Sequence, residues 1–238
     1  MAHLAEVALV GAPRTPPPLA DLSSGSSALA LARVARARRV ACRVYIPETL
    51  PAADVAEMIA LGAEVRRLPM TPAGLVSALT ELQEEHDAGR LLWLRQNFNP
   101  QAMTAYRELT RRLGAAVQSV VAGVGTGASL RAFATHLLRR SPNLEVVAVY
   151  SPDIPGLRPT AASMGPGDLG SVDAMRAVFS HRLQVVQLTA SQLDPELPSR
   201  HGLAAGLSTA AVLHCLRGRT GALGISVDAR RVPVPVRS

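Results

Sequence analysis

The sequence predicts an α/β protein in which parallel β-sheets are flanked by helices, and three observations carry that expectation. Short β-branched or apolar runs alternate with longer segments of helical periodicity along most of the 238 residues. Glycine- or serine-rich turns join several runs to the helices that follow, the layout of strand–turn–helix units that stack into a parallel sheet. The hydrophobic fraction, 48%, supplies enough apolar side chain to bury a core in a chain of this length.

Taken in order, residues 6–10 read as a strand, and the prolines at 13 and 16–18 make a connector with little regular structure. Residues 19–22 read as a short strand running into Ser23, Ser24, Gly25, Ser26 and Ser27, where serine hydroxyls suit the cap of a helix that continues to residue 37. Strand 41–46, helix 52–61, strand 63–68 and helix 72–88 follow, a βαβα rhythm that implies a parallel sheet with helices on its faces. Residues 91–94 read as another strand. Pro100 sits where a proline opens a helix, here one running to residue 113, because its missing N–H is not needed there. Residues 119–122 are a β-branched run suited to a buried strand, and Leu130, Phe133, Ala134, Leu137 and Leu138 recur behind it at helical spacing. Residues 145–150 are a further strand. The stretch 151–170, rich in Pro and Gly, is expected as a mobile surface loop. Strand 183–188, helix 208–217, a last strand 222–227 and an extended Val-Pro tail over 230–238 complete the chain, and no internal repeat is visible.

The turn between residues 119–122 and the next helix carries the clearest chemistry. Gly123, Gly125 and Gly127 permit unusual backbone angles and close approach to the amides, and the following helix presents unpaired N–H groups and a positive dipole end. An anion such as phosphate is the natural occupant. The spacing is not the dinucleotide fingerprint, since Leu130 stands where Gly-x-Gly-x-x-Gly needs glycine, and no Walker lysine follows.

Other classes are excluded by composition. No stretch approaches the roughly 18 apolar residues of a membrane span, and the N-terminus lacks the layout of a signal peptide, so a cytoplasmic protein without membrane contact is expected. Cys42 and Cys215, far apart in apolar surroundings, are expected as two buried thiols. The net charge is +7, and all 25 basic residues are arginine with no lysine. They are spread along the chain with only 3% aromatics, so dedicated nucleic-acid binding is not expected. His136, two turns beyond Ser129, is expected to be solvated; His214 and Cys215, being adjacent, do not form a nucleophile–base pair on a helix. Asp153 is expected to face water. No His/Cys/Asp/Glu cluster has metal-ligand spacing.

Four segments stand in order between residue 19 and about residue 227: Ser23-Ser24-Gly25-Ser26-Ser27, Tyr45-Ile46-Pro47-Glu48, Gly125-Thr126-Gly127-Ala128-Ser129 and Gly202-Leu203-Ala204-Ala205-Gly206-Leu207-Ser208-Thr209-Ala210-Ala211. With them the chain resembles cysteine synthase, a member of the fold-type-II pyridoxal-phosphate family that includes cystathionine β-synthase and the tryptophan synthase β subunit. The first resembles the family's Thr-Ser-Gly-Asn-Thr substrate loop, the second its Met-Pro-Glu segment and the third the Gly-Thr-Gly-Gly-Thr loop for the cofactor phosphate. The fourth resembles the Gly-Ile-Ser-Ser-Gly-Ala segment, whose first serine faces the pyridine nitrogen, and Ser208 is taken as the cofactor-facing hydroxyl.

The resemblance implies a tryptophan synthase β-like fold with a reduced small lobe over 19–115, a large lobe with the phosphate loop over 116–230, and extended termini over 1–18 and 231–238. It also exposes departures. The family's Schiff-base lysine lies well before the substrate loop, whereas here 22 residues precede Ser23 and none is lysine; residues 6–10 are expected as the remnant of an early strand. Ser26 stands in place of the asparagine that bonds the cofactor's ring oxygen. Ala128 replaces a glycine and would hinder approach if that position needs a positive φ. Arginine cannot form the imine that a lysine amine forms. The expected function is therefore a cysteine-synthase-like pseudoenzyme or partner-binding subunit with a retained phosphate cleft, holding pyridoxal phosphate or phosphate without a covalent link. Its expected partners are an active paralogue or an acetyltransferase-like protein, a small anionic or amino-acid-derived ligand, and a second copy in a homodimer. The alternative is a repurposed enzyme of amino-acid or specialised metabolism working without lysine.

Overall fold

Alternation along the strands decides where each sheet buries its faces. Val120 and Ala122 join one apolar cluster and Val121, between them, joins another, and all three are fully buried. A strand with two buried faces needs helices on both sides, which is the environment of a parallel sheet. The computed structural model has two such sheets and describes residues 1–113, 117–154, 156–157, 164 and 167–226, the side chains of 107 and 108 excepted.

The chain divides into two units. The first comprises Met1–Ala105 with Met164–Gly167. It runs α1 (Ala2–Leu9), β1 (Leu19–Leu22), α2 (Ser26–Arg38), β2 (Cys42–Pro47), α3 (Ala52–Ala60), β3 (Ala63–Leu68), α4 (Pro72–Asp87) and β4 (Leu92–Trp93). A 3-10 turn over Pro100–Met103 then leads into α5 (Thr104–Arg111), which starts at the end of this unit. The sheet order is β3-β2-β1-β4, all parallel. Leu19, Val44, Ile46 and Ala63 pack on one face with Leu4, Leu31, Ala35 and Met58 of the first three helices. Ala20, Leu22, Tyr45 and Leu68 pack on the other with Ala78 and Leu82 of α4.

The second unit comprises Tyr106–Ser163 with Asp168–Ser238. After the end of α5 it runs β5 (Ser119–Gly123), α6 (Ala128–Leu138), β6 (Glu145–Tyr150), α7 (Val172–Phe179), β7 (Leu183–Gln187), α8 (Leu197–Arg200), α9 (Leu207–Leu216) and β8 (Ala222–Ile225). Its order is β7-β6-β5-β8, again all parallel. Each sheet is thus laid down as third, second, first, fourth strand. The first strand is interior, and the strand order reverses beside it, the place where open α/β sheets leave a crevice at the carboxyl ends of their strands.

Several expectations need correction. Residues 6–10 are not a strand: the chain is helical from Ala2 to Leu9, with Leu4 and Ala5 buried and Arg38 of α2 ion-paired to Glu6. A four-residue apolar run after Glu6 cannot tell a period of 2 from 3.6, and alanines at 2, 5 and 8 favour the helix. The stretch 1–18 is therefore not an extended terminus. The helix expected from Pro100 begins instead as a 3-10 turn, with the Asn99 side chain accepting the Gln101 amide, and becomes α-helical at Thr104. In the expected surface loop 151–170, Ser151, Ile154, Leu157 and Asp168 are buried, and Ile154 and Leu157 pack with Val121 and Val147; residues 155, 158–163, 165 and 166 lie outside the described residues, as does the expected tail. Helix α7 was not expected. Ser171 caps it by accepting the Ala174 amide, and Val172, Met175 and Phe179 form its buried stripe. Cys42 is buried, which pushes its thiol up to about 11, whereas Cys215 is only half-buried.

Candidate anion-binding site

The glycine turn sits where β5 hands over to α6. Val124 still pairs with the neighbouring strand, its amide donating to Val149 O at 2.8 Å, and the chain then reverses through Gly125, Thr126 and Gly127. Gly127 is the N-cap of α6 with φ 76° and ψ −11°, a left-handed geometry that glycine adopts without strain. Space gives a second reason for glycine. A Cβ at Gly127 would stand 2.5 Å from Met175 Cε and 2.7 Å from Leu169 O, and one at Gly125 would stand 2.9 Å from Gly156 O.

The turn leaves its donors free. Ala128 N has a long bond to Thr126 Oγ1 at 3.4 Å, and Arg131 N closes the first helical turn on Gly127 O. Among the described residues the amides of Gly125, Thr126, Gly127, Ser129 and Leu130 find no acceptor. Ser129 is nine-tenths buried, and no hydrogen bond of its hydroxyl is seen among the described residues. Unpaired amides at a helix start, joined by a hydroxyl, are a donor set for a phosphate. Ala128 does not obstruct it, because the positive φ falls on Gly127 and Ala128 is already helical.

Ser208 lies in the first turn of α9, buried, beside Thr209, whose hydroxyl bonds Ser226 Oγ at 2.5 Å. Helix α9 feeds the parallel strand β8, so its N-terminus and the glycine turn share the carboxyl end of one sheet. Residues 23–27 belong to the other unit and occupy the matching corner of its sheet. There the Ser23 hydroxyl accepts the amides of Gly25 and Ala28, both at 3.1 Å, and so serves the start of α2. Gly25 has φ 139°.

Sequence reasoning missed Asp21. It is 2% exposed in the apolar strand β1, accepting Leu22 N at 2.9 Å and Gln96 N at 3.3 Å. Burial pushes its carboxyl up to about 7, against the pull of those two hydrogen bonds. The Trp93 indole approaches it without closing a hydrogen bond of ordinary geometry. A charged residue inside the run Leu-Ala-Asp-Leu was the readable signal. Asp153, by contrast, is a staple: it accepts Ser151 Oγ at 2.7 Å and Ala190 N at 3.0 Å, and these bonds hold its carboxyl below the usual range. His136 is half-buried on α6 with Nε2 enclosed, not solvated as expected.

The sequence profile described as pyridoxal-phosphate dependent enzyme matches residues 17–227. The chain belongs to that family. Cysteine synthase of Staphylococcus aureus (strain N315) is 26% identical over 221 residues, covering 87% of this chain and 70% of that protein. Cystathionine beta-synthase of Apis mellifera is 28% identical over 137 residues, 53% of this chain and 27% of that one. The O-acetylserine dependent cystathionine beta-synthase from Helicobacter pylori superposes with a TM-score of 0.75 at 21% identity, covering 95% of this chain and 80% of that one. This member of the pyridoxal-phosphate dependent family is thus cysteine-synthase-like, with a tryptophan synthase β-like fold of type II.

Against that family's cofactor the residues fit in part. The glycine turn suits the phosphate, and Gly206-Leu207-Ser208-Thr209-Ala210-Ala211 lines up with Gly-Ile-Ser-Ser-Gly-Ala so that the first serine falls on the buried Ser208. The 238 residues contain no lysine, and Ser26 stands at the asparagine position. Several arginines are committed elsewhere, Arg33 to Glu57, Arg43 to Glu64 and Arg90 to Glu85 among them. Among the described residues no helix is long and apolar enough to cross a membrane, and no group of three or more His, Cys, Asp or Glu could hold a metal ion.

Proposed function

We propose that this cysteine-synthase-like protein keeps its family's phosphate cradle without the covalent anchor: it binds a phosphorylated ligand reversibly and does not carry out conventional β-replacement. The observation that carries the reading is the set of amides at Gly125, Thr126, Gly127, Ser129 and Leu130, unpaired among the described residues, in a sequence with no lysine. Pyridoxal phosphate, when anchored by a lysine amine, draws electrons from the α-carbon of an amino acid. Here residues 125–129 would hold its phosphate, and no side chain of the 238 offers an amine to its aldehyde. The role is then exercised through a partner, an active paralogue or an acetyltransferase-like subunit.

The test joins binding to chemistry. Inorganic phosphate and pyridoxal phosphate are each expected to raise the melting temperature by mass action. Borohydride treatment with pyridoxal phosphate is expected to leave every side chain unmodified on peptide mapping, the N-terminal α-amine being the one primary amine of these 238 residues. A reduced adduct on a side chain, or cysteine formed by the purified chain from O-acetylserine and sulfide, would overturn the reading.

The second reading, a repurposed enzyme of amino-acid or specialised metabolism, is favoured by one observation. The Ser129 hydroxyl, nine-tenths buried without a hydrogen bond among the described residues, is a cost that a site out of use has no reason to keep. Turnover of a phosphorylated or amino-acid-derived compound without added partner would decide for it.

A further inference from the structure

A strap formed by residues 168–170 lies against the glycine turn. A Cβ on Gly170 would stand 2.4 Å from Gly125 O and 2.9 Å from the Thr126 carbonyl carbon, so backbone meets backbone there. Tyr150 Oη donates to Gly170 O at 3.2 Å, and the Gly170 amide donates to Asp168 Oδ1 at 3.1 Å, which fixes the strap from behind.

Arg131 stands one turn into α6. Helical side chains lean toward the N-terminus of their helix, and this one reaches back to the strap, where its Nη1 donates to Leu169 O at 3.4 Å. That carbonyl is also the atom 2.7 Å from the Cβ position of Gly127. One carbonyl therefore separates the guanidinium from the apex of the turn. Arg131 is half-buried, and no carboxylate of the described residues lies within ion-pair distance of it. Burial lowers its affinity for its proton with no acidic neighbour to compensate. A partly desolvated guanidinium whose one hydrogen bond among the described residues is long and made to a neutral carbonyl has donors left over for an anion.

We propose that Arg131 is the cationic arm of the anion site, turning from Leu169 O onto the ligand and so selecting a dianionic phosphate over a neutral or singly charged group. This rests on the reading of residues 125–129 as a phosphate cradle and adds the charge that amides alone do not supply.

The test is a thermal-shift titration with inorganic phosphate on the full chain and on Arg131→Gln, Arg131→Met and Arg131→Lys. Arg131→Gln and Arg131→Met, the second keeping the packing of the stem, are expected to raise the half-saturating phosphate concentration about tenfold or more, the weight of one charge-assisted bond. Their ligand-free melting temperatures are expected to stay level or rise, and Arg131→Lys is expected to recover part of the affinity. Unchanged phosphate affinity in Arg131→Met, with a lowered ligand-free melting temperature, would show a structural pin and overturn the proposal. A wild-type chain indifferent to phosphate would overturn the cradle itself, and this inference with it.

Discussion

Asp21 of β1 and Gln96, three residues beyond the paired strand β4, are joined: the buried carboxylate of one accepts the backbone amide of the other at 3.3 Å, while Gln96 Nε2 donates to Leu22 O at 2.6 Å. Because burial holds the carboxyl near 7, the folded chain keeps a proton that the unfolded chain gives up near its usual value of about 4. The folded state binds more protons, so this group favours folding below that lower value and loses the contribution as pH rises through about 7. Urea unfolding of wild type between pH 4 and 8 is expected to show falling stability from this source, at most roughly 4 kcal/mol. Asp21→Asn, which imitates the protonated acid, is expected to flatten that fall and to be more stable than wild type at pH 8.

Ser23 was a candidate for ligand contact, yet its hydroxyl is engaged by Gly25 N and Ala28 N at the start of α2. Ser23→Ala is expected to lower stability by about 1–2 kcal/mol, as loss of a helix cap does. Chemical denaturation reads that change; an unaltered midpoint would show that the cap contributes nothing.

Gly127→Ala places a methyl at φ 76° and against Met175, Leu169 and Gly170 at once. About 2–3 kcal/mol of destabilisation is expected from the strained backbone and the contacts together. Phosphate should then no longer raise the melting temperature, because the turn must open to admit the side chain.

Ala128→Gly restores the glycine of the family loop, and it is expected to gain nothing. The position is helical and 2% exposed, so the change removes a good helix former and costs about 1 kcal/mol. Calorimetric titration with phosphate should give the wild-type affinity.

The glycine turn and its helix were legible because strand, turn and amphipathic stripe follow one another within about twenty residues of chain. Helix α7 was not, because Ser171, Val172, Met175 and Phe179 come directly after a Pro- and Gly-rich stretch that masks the start of the periodicity. Residues 6–10 misled for the opposite reason: the apolar run was visible, but only its packing on α2 fixes the period. Asp21 was visible as an acid in an apolar strand, whereas its proton affinity depends on Gln96, 75 positions away. Arg131 looked like any surface arginine of a helix, since its lack of a carboxylate depends on where the 168–170 strap comes to rest.

The common strand order of the two sheets gives this chain a pair of like sockets, one at the head of each first strand. Their linings differ, since the Ser23 hydroxyl is spent on the start of α2 while the turn at residues 125–129 keeps amides unpaired among the described residues beside Ser129. Each socket is therefore framed by backbone alone, so side chains lining it can be exchanged with little disturbance to the sheet that supports them.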